Sequence, residues 1–157
     1  MRVPRTTAVL TTILFAATLT LGSTKGSATN PLSQETYFPH LGDLMNTMQM
    51  RHLKLWFAGR SSNWPLAAYE IDLMTENFHD IAVLYPNVPV ADVEMLIEPT
   101  KEISAAIKAK DAEKFSRTFA TLTAACNSCH QAIGREYIVI QVPTASPFSN
   151  QVFAPKK

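Results

Sequence analysis

Apolar residues spaced three and four apart through most of the chain predict an all-α fold, an antiparallel four-helix bundle with a C-terminal extended tail. The connecting segments are short and rich in Pro, Gly and Asn, as helix-to-helix turns require. Only one run, Tyr137 to Val142, has a strand-like composition. The 157 residues suffice for one domain and one core after an N-terminal leader is set aside.

Residues 1–28 read as a signal peptide. Arg2 and Arg5 form a basic start, Ala8 to Leu21 is apolar and uncharged, and small residues follow from Gly22 to Ala28. Cleavage is expected after Ala28. The apolar run is shorter than the roughly 20 residues of a membrane span, which leaves an uncleaved anchor as the alternative. The whole chain has 14 Lys and Arg against 13 Asp and Glu. The leader holds Arg2, Arg5 and Lys25 and no acid, so residues 29–157 carry 11 cations against 13 acids, a formal −2. Near-neutral charge without a basic run argues against a nucleic-acid partner.

Residues 29–39, punctuated by Pro31 and Pro39, form a polar lead-in to a bundle over residues 40–134. The first helix is expected from about His40 to Ala58. Its stripe is Leu41, Met45, Met48, His52, Leu55 and Gly59, at spacings of four, three, four, three and four. Asn63 is placed to cap the second helix and Pro65 suits its first turn. That helix should run to Leu84 on a stripe of Ala67, Ile71, Met74, Phe78 and Ile81, with Glu70, Asp72, Glu76 and Asp80 on its outer face. After a loop at 85–89, a third pattern spans Ala91 to Ala109, and Pro99 predicts a kink or two short helices. Asp111 caps the fourth helix, which buries Phe115, Phe119, Leu122, Cys126 and Cys129 and stops at Gly134. The tail, residues 135–157, is apolar at first and then broken by Pro143, Pro147 and Pro155. It is expected to fold back near the end of the fourth helix with Phe148 and Phe153 as anchors, or to lie along the bundle surface.

The sharpest motif is Cys126-Asn127-Ser128-Cys129-His130, the C-x-x-C-H attachment signature of a c-type haem. Two thiols three residues apart, about one helical turn, can each add to one vinyl group of the same porphyrin. His130, four positions from Cys126, then lies on the same face and can reach the iron. The chain has only two cysteines, and both are in the motif. A thioredoxin-type C-x-x-C would follow a strand, whereas a helical pattern precedes this one. A zinc site would need further ligands at short spacing. A disulfide over so small a loop would stabilise little. The motif and the export signal support each other, because covalent haem attachment in bacteria takes place outside the cytoplasmic membrane. One covalent haem c per chain and a periplasmic location are therefore expected. In a bundle, the end of the fourth helix lies beside the start of the first, so the haem is expected near residues 41–52.

C-x-x-C-H at the end of the last helix of a four-helix, exported chain resembles the class II c-type cytochromes, the cytochrome c-prime type and its methionine-ligated relatives. It is similar also to small proteobacterial monohaem proteins with a C-terminal tail, with a weaker likeness at Leu55 to Arg60 and at Asn63-Trp64. The resemblance covers roughly residues 40–134. It implies thioethers at Cys126 and Cys129 and a proximal iron ligand at His130. On the first helix, the position that faces the iron in this class matches Met45. An apolar residue there leaves the iron five-coordinate, and a methionine ligates it. The c-prime type often carries an Arg one turn earlier, where this chain has Leu41, so Arg51, Lys54, Arg60 and Arg135 are the cations open to the haem propionates. The class often dimerises through its first two helices, which makes a homodimer possible.

The distal side stays open between three residues of one stripe. Met45 offers a thioether that suits iron in either oxidation state, Met48 is a second thioether or plain packing, and His52 is an alternative ligand or a pocket residue. His40 and His79 are expected to face water, and Trp56 and Trp64 to pack. The first functional expectation is a periplasmic one-electron carrier serving redox partner proteins. The alternative is a five-coordinate haem protein that binds nitric oxide or carbon monoxide beside Leu44, Met48 and Leu55. A peroxidase would call for a distal acid-base pair, and Arg51-His52 point about 100 degrees apart on a helix. No catalytic residue is expected.

Overall fold

Five helices make up the regular structure: α1 (Leu41–Arg60), α2 (Trp64–Leu84), α3 (Val90–Glu94), α4 (Ile97–Ala109) and α5 (Ala112–Ala132). They belong to a computed structural model that describes residues 38–156, all within one compact unit. The signal-peptide and cleavage expectations, and most of the lead-in, lie outside the described residues. Among the described residues there is no strand, and no helix is long and apolar enough to cross a membrane. The four longer helices pack in a ring: α1 on α2, α2 on α4, α4 on α5, and α5 on α1.

The helix boundaries follow from local chemistry. Asn63 accepts from the Leu66 N–H at 3.4 Å, and Pro65 sits in the first turn, where no N–H is needed. Asp111 accepts from the Lys114 N–H at 2.8 Å and so starts α5. The stretch around Pro99 takes the two-helix form. The break falls at Met95–Leu96, and Pro99 then occupies the first turn of α4, where its missing N–H costs nothing. Tyr85, just after α2, donates its hydroxyl hydrogen to the Pro39 carbonyl, which ties the end of α2 to the residues before α1.

The stripe of α2 is buried as its spacing predicts, and Leu55, Phe115, Phe119 and Leu122 are fully enclosed. Burying side chains of this size contributes about 1.5–3 kcal/mol each. α1 departs from the expectation at one end. It is buried at Met48, His52, Leu55, Ala58 and Gly59, while Leu41 and Met45 are only half-buried. At the opposite end the chain packs tightly. A Cβ placed on Gly59 would lie 2.2 Å from two carbons of the Phe115 ring, so glycine is what lets α1 and α5 approach there. Trp56 lies 4.8 Å from Phe119, and Trp64 meets Phe115 edge-on at 6.1 Å, centroid to centroid.

One acid differs from its expected place. Asp72, Glu76 and Asp80 face out, but Glu70 is only 3 % exposed, with Arg51 Nη1 at 3.5 Å. Glu70 lies one residue before Ile71, on the flank that α2 turns to α1, where Arg51 supplies a partner. Burial raises its pKa, and the charges of Lys54 and Arg51 oppose that rise.

Candidate functional site

The C-terminal turn of α5 sets the geometry. Gly134 adopts φ +69°, a conformation costly to residues with a Cβ, and two bonds close the helix. The Arg135 N–H reaches the His130 carbonyl at 2.7 Å, and the Gly134 N–H reaches that of Gln131 at 3.2 Å. This is a Schellman ending, and it turns the chain back along the helix it has just left.

The returning tail meets the C-x-x-C-H motif at two places. His130 Nδ1 lies 2.8 Å from the Ile138 carbonyl. A carbonyl can only accept, so Nδ1 carries a proton; in the neutral ring the lone pair then sits on Nε2, the form in which a histidine binds a metal. Asn127 donates from Nδ2 to the Ile140 carbonyl and accepts at Oδ1 from the Ile140 N–H, each at 2.8 Å. Further on, Phe153 packs on Phe57 at 5.6 Å and its carbonyl accepts from Asn63 Nδ2 at 3.0 Å, while Lys54 lies over Phe148 at 5.7 Å.

A cavity of about 450 Å³ lies beside this turn, within the roughly 300–1,000 Å³ range of small-molecule and cofactor sites. Cys126, Cys129 and His130 line it from α5, and Met45, Met48 and His52 from α1. The expected attachment residues and all three distal candidates thus share one space. Leu44 and Leu55 do not line it. Of the four candidate cations, Arg135 alone lines the cavity. Arg51 is taken up by Asn77 and Glu70, Lys54 by Phe148, and Arg60 lies over Trp56.

The two thiols are unpaired. Burial, and secondarily the charge of Cys129, push the Cys126 thiol up to about 12. Burial and then the Asp92 charge raise Cys129 as well. A thiol–disulfide catalyst needs the opposite shift, toward thiolate at neutral pH. Among the described residues, no three His, Cys, Asp or Glu side chains cluster as a metal-holding group.

His52 is 3 % exposed, and burial lowers its pKa to about 4, so it is neutral near pH 7. Its Nε2 lies 2.9 Å from Thr123 Oγ1, whose own hydrogen serves the Phe119 carbonyl at 2.9 Å. Nε2 is therefore the donor, and the lone pair of the neutral ring is left on Nδ1. His40 and His79 are exposed. The contributions of Asn127, Ile138 and Ile140 were not legible in the sequence, and Arg135 was one of four cations among which it did not choose. Asn127 is a variable position of the motif, and the others act through backbone groups or through the fold-back of the tail. Gly134 followed at once by an apolar run is the one signal that pointed there.

Comparison with protein-family models, with curated proteins and with solved structures gives no match.

Proposed function

We propose that the protein is an exported, periplasmic monohaem c-type cytochrome that passes single electrons between redox partner proteins. Its fold is read as an antiparallel four-helix bundle with the tail packed against the haem end. One observation carries this reading: a single cavity brings together two free thiols at attachment spacing, an imidazole whose Nδ1–H is held by a backbone carbonyl, and a thioether. This donor set fits a covalently held haem c.

When bound, the haem supplies one-electron chemistry at its iron. Cys126 and Cys129 would hold it by thioether bonds, His130 Nε2 would be the proximal donor, and Met45 the distal one. Arg135, with guanidinium donors still free beside the cavity, would pair with the propionate carboxylates. The apolar walls from Met74, Phe78 and Ile81 would exclude water and raise the reduction potential. A carrier role, as opposed to an enzymatic one, is favoured by Arg51. It is bound to Asn77 and Glu70 and does not line the cavity, which speaks against an Arg51–His52 pair of the kind that peroxidase chemistry uses.

The optical spectrum of protein matured in the periplasm tests the proposal. Low-spin bands, a weak far-red iron–sulfur band when oxidised, and no response to carbon monoxide are expected. Met45→Ala should turn the protein high-spin and open it to carbon monoxide. High-spin bands in the wild type that shift with the gas would favour the five-coordinate, gas-binding alternative. Absence of a haem spectrum would overturn both.

A further inference from the structure

We infer that residues 135–141 form a strap that sets the tautomer and orientation of His130, and that Asn127 is the positioning residue that fastens it. This rests on the haem reading of the site. Attachment chemistry asks only for Cys126, Cys129 and His130 and is indifferent to the two residues between the cysteines. Asn127 nevertheless spends both halves of its amide on both backbone groups of Ile140, at 2.8 Å each. It thereby does for a lone extended segment what a neighbouring strand would do in a sheet.

Two residues earlier, the Ile138 carbonyl receives the His130 Nδ1–H. Ile138 is held on either side: its N–H bonds the Arg135 carbonyl at 2.8 Å, and Ile140 is clamped to α5. The acceptor beside His130 is therefore a fixed carbonyl, set by a closed loop of bonds that begins and ends on α5. A histidine that donates its far N–H to such an acceptor is locked in one ring orientation and is a stronger donor to iron. Stronger donation favours the oxidised state, so the strap should hold the reduction potential down. A tail that merely covered apolar surface would stabilise the fold and leave the imidazole unaffected.

The test uses the haem-loaded full-length mature protein, with Asn127→Ala and, from the tail side, Ile140→Pro, which removes the clamped N–H without touching the motif. Two quantities are read: solvent exchange of the His130 ring N–H by proton NMR, and the reduction potential. Each variant should speed the exchange by about tenfold, the loss of roughly one hydrogen bond, and raise the potential. The double variant should add little to either, since both changes open the same clamp. Normal haem content with unchanged exchange and potential in both variants overturns the strap while leaving the haem reading intact. A wild type that carries no haem overturns the two together.

Discussion

The same two helices, α1 and α5, build opposite ends of the protein in opposite ways. At one end Gly59 admits the Phe115 ring, and Trp56, Trp64 and Phe119 fill the space around it. At the other end the stripe of α5 passes from Phe115, Phe119 and Leu122 to Ala125, Cys126 and Cys129, and α1 opposes it with Met45 instead of a ring. Shrinking side chains on an otherwise continuous stripe leave about 450 Å³ unfilled. A helical pair can therefore carry its stability at one end and its binding volume at the other, without a change of backbone.

This division can be broken by mutation. Phe115→Ala, at the filled end, should cost about 3–5 kcal/mol in urea unfolding, because a fully enclosed ring leaves a cavity between α1 and α5. A loss below about 1 kcal/mol would mean that this end is not the anchor. His52, between the two ends, makes the core sensitive to acid. Unfolded, it takes up a proton near its ordinary value of 6.5, and folded only near 4. Between those values the unfolded chain holds the extra proton, so stability falls as the pH falls, by at most about 3 kcal/mol. Carboxylates titrate in the same window, so the contribution of His52 is the part of the slope that His52→Gln removes.

Gly59→Ala sharpens the contrast further. The added methyl has no room beside Phe115, and overpacking should cost about 1–3 kcal/mol while leaving the His130–Ile138 bond in place. Met45→Ala should have the smallest effect on the haem-free fold, below about 1 kcal/mol, because Met45 is half-buried and already borders open volume. If denaturant midpoints show Met45→Ala to be as costly as Phe115→Ala, the two ends are not distinct.

Local chemistry made much of this legible before any coordinates. Asn63, Asp111, Pro99 and Gly134 act where their side chains and backbone preferences say they should, since caps and breaks depend on residues three or four positions apart. Cys126, Cys129 and His130 were readable for the same reason. Helical spacing alone puts them on one face, whereas the apolar stripe of the first helix left Met45, Met48 and His52 open and only the class II resemblance singled out Met45.

The rest depended on residues distant in sequence. Glu70 is buried because Arg51 meets it across the α1–α2 contact, 19 positions away. His52 spends Nε2 on Thr123, 71 positions on. Asn127 and His130 find their partners in tail residues whose contribution is a backbone group, which no side-chain pattern encodes. Periodicity and turn chemistry constrain φ and ψ within a few residues. Which nitrogen of a histidine stays free is decided by whichever polar atom the folded chain brings within 3 Å of the other.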